Sequence, residues 1–138
     1  MSTVREQAIA KLKTVLKTAS VKTVVVANGP LDLTTYSASQ LPLVEIIPGV
    51  ETALYEVGRH AEWRFQLRST VYFVESRSDE AQQEKLVGEQ KNALGGNPTL
   101  DDIVEIVDIV NVTPGGSFPL YSVEFQLSCR YERHIANA

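Results

Sequence analysis

The residues able to do chemistry are few and scattered along this chain. His60 and His134 stand at a predicted turn and in the C-terminal tail. A histidine pair for metal or acid–base work must converge with carboxylates, and this spacing enforces no such meeting; both read as surface residues. Asp101, Asp102, Glu105 and Asp108 crowd together, but on a strand Glu105 and Asp108 would point to opposite faces, and the ligand pattern of a calcium loop is missing. Cys129 is the single cysteine and falls on the apolar side of an alternating stretch, where a thiol acts as an inert small hydrophobe. The glycine pairs at 95–96 and 115–116 match neither the phosphate-loop nor the dinucleotide pattern and read as turns. Asn111-Val112-Thr113 fits a glycosylation sequon by chance, inside a predicted strand. Trp63 lies on an apolar face and reads as core. The expectation is therefore a protein with no catalytic residues, no cofactor and no metal: not an enzyme.

Length and charge narrow the class. The chain has 138 residues, 43% of them hydrophobic, which suits one domain over residues 1–138 with one core. A net charge of −4 and a pI near 5.2 argue against gripping nucleic acid by phosphate neutralisation, and against an anionic membrane surface. No apolar run approaches the roughly 20 residues of a membrane span, and residues 1–13 lack a signal-peptide hydrophobic block. A soluble protein made in the cytoplasm is the expectation.

The elements that would position any site are organised around residues 61–74, AEWRFQLRSTVYFV. Ala61, Trp63, Phe65, Leu67, Ser69, Val71 and Phe73 alternate with Glu62, Arg64, Gln66, Arg68 and Thr70, the period of a half-buried strand. Its reach is roughly 45 Å, so it must bend, carry a bulge or project from the domain body. Residues 121–132 repeat the pattern, which makes the two stretches sheet partners and sets Arg64 and Arg68 against Glu124 or Glu132. Ahead of them, Val4, Ala8, Leu12, Val15, Leu16 and Ala19 form one helical stripe, with Thr3 and Glu6 as a capping box.

Residues 22–27 and 41–47 read as short strands, the second bounded by Pro48-Gly49, with Pro42 at its start or on an edge. Residues 31–40 read as a surface loop and 50–57 as another strand. Ser78 should cap a second helix that ends at Gly95-Gly96-Asn97-Pro98, with Gly88 a weak point inside it. Residues 103–112 are apolar on both faces apart from Glu105 and Asp108, as in a central strand, and Pro114-Gly115-Gly116 reads as a loop. The order predicts an α+β fold: a largely antiparallel sheet with two helices packed on one face. Apolar surface left over by two helices calls for a neighbouring subunit.

One arrangement of short strings resembles a known family. An Arg5-containing helix and an early strand precede a strand with Leu41-Pro42-Leu43, then a long strand and a helix ending Ala93-Leu94-Gly95-Gly96. Thr99-Leu100, an apolar strand and a long strand closing on Cys129-Arg130-Tyr131-Glu132-Arg133 complete it. Over nearly the whole chain this resembles the tail-terminator (tail-completion) proteins of long-tailed bacteriophages, including lambda-like minor tail proteins. The resemblance implies a structural virion protein, assembled in the host cytoplasm, forming a sixfold homo-oligomeric ring at the head-proximal end of the tail tube. Such a ring stops tube polymerisation and presents the surface for head–tail joining. Its partners would be other copies of itself, the tail tube protein and a head–tail connector or neck protein. DNA would pass through the channel without specific binding. Tyr36, Tyr55, Arg59 and Phe118, in loops or turns beside rigid strands, are the expected contact residues. The alternatives are a head–tail connector or neck adaptor, separable by co-purification with portal rather than tube protein, and a small ligand-binding α+β domain.

Overall fold

A computed structural model describes residues 3–26, 40–57, 60–74, 81–117 and 120–134. The elements are α1 (Val4–Val15), β1 (Thr23–Val26), β2 (Leu43–Val57), β3 (His60–Val74), α2 (Ala81–Gly96), β4 (Ile106–Ser117) and β5 (Leu120–His134). The strands form one sheet in the order β1-β2-β3-β5-β4, with β1 parallel to β2 and the other pairs antiparallel. The fold is α+β, as the element order predicts.

The two alternating stretches are central partners. β3 and β5 run in unbroken register from His60 opposite His134 to Val74 opposite Leu120. Their odd-numbered residues face the helices: Phe65 opposite Cys129, Leu67 opposite Leu127, Val71 opposite Val123. α1 lays Val4, Ala8, Leu12 and Leu16 on this face, and α2 adds Leu86 and Leu94. The predicted cap is present, Thr3 accepting from the Glu6 amide at 3.1 Å. The helices are also tied to each other. Buried Gln90 donates through Nε2 to the Leu16 carbonyl at 3.1 Å, and Ser20 donates through N and Oγ to the Glu89 carboxylate. Those bonds outweigh burial and hold the Glu89 pKa below its ordinary value.

The sheet bends through its outer strands. Between Pro48, opposite Leu67, and Glu51, opposite Phe65, β2 carries Gly49 and Val50 against the single residue Gln66. β4 carries the extra residue Val110 between Ile109, opposite Leu127, and Asn111. Leu67 and Leu127 are themselves partners, so these two bulges lie at one level of the sheet while β3 and β5 run through uninterrupted; a further shift in β2 adds Leu54 between Ala53, opposite Trp63, and Tyr55, opposite Glu62. The extra valines point out: Val50 is 70% exposed and Val110 53%.

These bulges overturn several expectations. Pro48-Gly49 does not separate two strands; a bulge absorbs the proline's missing N–H and β2 continues to Val57. Residues 103–112 do not form a central strand. β4 begins at Ile106 and lies at the edge. The bulge at Val110 shifts its phase, so Val107 and Ile109 and then Val112 pack on the core, and two successive one-sided patterns looked like one two-sided pattern. Pro114-Gly115-Gly116 is no loop but the far part of β4, opposite Val123, Ser122 and Tyr121. The bulge, Asp108 and Pro114 are what blunts a free sheet edge. Arg64 stands opposite Arg130 and Arg68 opposite Gln126, not opposite glutamates; a salt bridge on this face joins Arg130 to Glu62 at 3.7 Å.

Burial on both faces occurs instead at the start of β2, where Leu43, Val44, Glu45 and Ile46 are all buried. The predicted loop at 31–40 lies, but for Gln40, outside the described residues, and Ser78 lies outside them too.

The Gly88 expectation gives a first test. A Cβ added there meets nothing within 4 Å, so Gly88→Ala should raise folding stability by roughly 0.5–1 kcal/mol, read by chemical denaturation.

Candidate interaction cleft on the helix-free sheet face

Three rows of side chains cross the face opposite the helices. The register aligns Glu45, Thr70, Glu124 and Thr113 across β2, β3, β5 and β4. One row along stand Ile47, Arg68, Gln126 and Asn111; on the other side stand Leu43, Tyr72, Ser122 and Gly115. Strand spacing puts the Glu45 and Glu124 backbones roughly 10 Å apart, with only short Thr70 between them. Arg68 and Tyr72, two residues either side of Thr70, rise as walls. Thr113, Gly115 and Ser122 are small. The result is a cavity of about 340 Å3 lined by two carboxylates, a phenol, a guanidinium and hydroxyls.

Glu45 is the unusual member. It is fully buried, its Oε1 accepts a long 3.5 Å hydrogen bond from the Tyr72 hydroxyl, and its Oε2 has no hydrogen-bond partner among the described residues. Burial pushes its pKa above the usual carboxylate range, and the Tyr72 bond and the Arg68 charge offset this only in part. Burial also raises the Tyr72 pKa, reinforced by the charges of Glu45 and Glu124 and opposed by Arg68. The cleft therefore sets two carboxylates beside one guanidinium, with one buried carboxylate oxygen that meets no donor among the described residues.

A pH dependence follows. An acid whose folded pKa lies above its unfolded value favours folding while protonated; that contribution is complete below the ordinary carboxylate value of 4.5 and is lost as pH rises through the folded pKa. Glu45→Gln keeps the size and an acceptor for Tyr72 but cannot ionise. At concentrations too low for self-association it should unfold at higher denaturant than the wild type at pH 8, with the gap closing toward pH 4.5.

The residues singled out from sequence fall elsewhere. Tyr36, Arg59 and Phe118 lie outside the described residues, and Tyr55 lies on β2 with Glu62 as its backbone partner. His60 and His134 are register partners at the end of β3 and β5, a pairing their separation in sequence hides. Asp101 and Asp102 form no cation cluster with their neighbours: among the described residues no group of three or more metal-ligating side chains occurs. With Leu100 they make a turn of three successive left-handed residues, φ 51, 58 and 67. Asn97 and Thr99 side chains accept from the Asp101 and Asp102 amides there, and Lys11 pairs with Asp101. Trp63 packs half-buried against the core.

Cys129 is fully buried, and burial, with the Asp108 charge, pushes its thiol up to about 12. In the native protein it should resist a thiol reagent at pH 8 and react stoichiometrically once unfolded; fast native labelling would mean β5 opens locally.

No helix among the described residues is long and apolar enough to cross a membrane. The chain matches no protein-family model, and no curated protein matches it in sequence.

Proposed function

We propose that this chain is a structural ring subunit of a long-tailed phage, a tail terminator at the head-proximal end of the tail tube. The observation that carries the reading is the element order. Helix, short strand, Leu-Pro-led strand, long strand, helix ending in Gly95-Gly96, apolar strand and long closing strand occur in the order on which the resemblance rests. The sheet adds support, because the helices cover one face and, among the described residues, the other bears a polar cleft suited to contact. A subunit with two unlike faces suits head-to-tail contacts that close into a ring. Away from the buried start of β2, this face carries Arg64, Arg68, Glu124 and Gln126, so its contacts are polar and salt-sensitive. In the ring, contacts from Tyr36, Tyr55, Arg59 and Phe118 would face other copies, the tube or the neck protein, and DNA would thread the channel without specific binding.

The test is absolute mass by light scattering across dilution and salt, alone and with isolated tail tubes. A ring-sized species, or rings formed only on tube ends, supports the reading. A monomer under every condition that ignores tubes overturns it. Co-purification with portal rather than tube protein would move the assignment to a neck adaptor.

A further inference from the structure

Carboxylates outnumber cations in one concave place of the molecule, and lysines line another. On the face opposite the helices, the Glu45 cleft holds a buried carboxylate oxygen that meets no donor among the described residues, across Thr70 from Glu124. On the helix side, where α1 ends and α2 begins, a hollow of about 490 Å3 is lined by Lys22 and Lys85 with Ser20 and Gln82. Both lysines are exposed. The two hollows lie on unlike surfaces, so one copy cannot fill its own.

We infer that the Glu45 cleft is a receptor for a lysine ammonium, supplied by the Lys22–Lys85 corner of a second copy of this chain. An ammonium brings three donors and a positive charge on a slim stem. Seated over Thr70, it lies within side-chain reach of both Glu45 and Glu124, and it gives the Glu45 Oε2 a donor that none of the described residues supplies. An anion would meet two carboxylates there, and an apolar group would leave the buried oxygen unpaired. Arg68 stays as the wall that balances the second carboxylate. The contact uses different patches on each copy, so it is heterologous and propagates head to tail until it closes. This inference deepens the ring reading and rests on it for self-association, but it names the surfaces and the chemistry.

The experiment is a charge swap read by light scattering and sedimentation. Glu124→Lys, on the half-exposed side of the cleft, should raise the dissociation constant for self-association about tenfold or more, as should the double variant Lys22→Glu/Lys85→Glu. Combining all three changes should restore assembly toward the wild type. Glu45→Gln, which keeps the fold but not the charge, should weaken assembly without lowering the circular-dichroism signal of the folded subunit. If the wild type assembles and the single-surface variants assemble equally well, or the combined variant is no better than either, this contact is wrong while the ring reading stands. If the wild type remains monomeric alone and with tubes, both fall.

Discussion

Phe65→Ala should remove about 3–5 kcal/mol of folding stability, the range for a fully buried aromatic truncated in a packed core. Phe65 lies on the central strand, opposite Cys129 on β5 and Glu51 on β2, with no exposed surface. Its ring meets Tyr131 at a 6.0 Å centroid distance and a tilt of 58°, an edge-to-face geometry that adds to the burial. The Tyr131 hydroxyl in turn donates to Glu51, so the ring also sits beneath a polar tie between β5 and β2. Against a usual total of about 5–15 kcal/mol, such a loss leaves the subunit near unfolding at physiological temperature. Chemical denaturation reads it directly. A loss below about 1 kcal/mol would mean this part of the sheet is loosely packed.

Gly49→Ala should cost about 1–3 kcal/mol, the usual penalty for forcing atoms into occupied space. A Cβ at this position would sit 2.7 Å from the carbonyl oxygen of Gln66. That oxygen is backbone of the central strand and cannot rotate aside. The close approach comes from the bulge, which folds Gly49 and Val50 over one residue of β3. Arg5 also reaches from α1 to donate to the Gly49 carbonyl at 2.6 Å, so a shifted bulge would disturb the helix start as well. The same substitution at Gly88 has the opposite sign because the space there is open. Measuring both in one denaturation series separates crowding from backbone entropy, since entropy alone would make both stabilising.

What could be read in the sequence was what depends on local periodicity. β3 and β5 declared themselves because a pleat has period two and Phe65, Leu67, Val71 and Phe73 keep to it without interruption. α1 was legible for the same reason, with a cap that its residues specify. What failed was phase. A bulge inserts one residue and reverses which parity faces the core, so a one-sided edge strand through Val110 imitated a two-sided central one. Pro48 and Pro114 looked like strand ends because proline lacks a donor, yet a bulge and a sheet edge each make that donor unnecessary. The cleft was invisible for another reason. Glu45, Tyr72 and Glu124 come from three strands, and only the register brings them to one hollow. In sequence, Glu45 is simply the polar residue inside LPLVEII.

The proposed role puts this subunit at one end of a tail tube, and locating it there tests that role directly. Purified protein carrying a gold label would be mixed with tail tubes lacking heads and examined by electron microscopy. A terminator should place label at a single end of each tube, as a ring coaxial with it, and leave tubes that no longer lengthen when tube protein is added. Label scattered along the tube walls, or absent from tubes that go on growing, would contradict it.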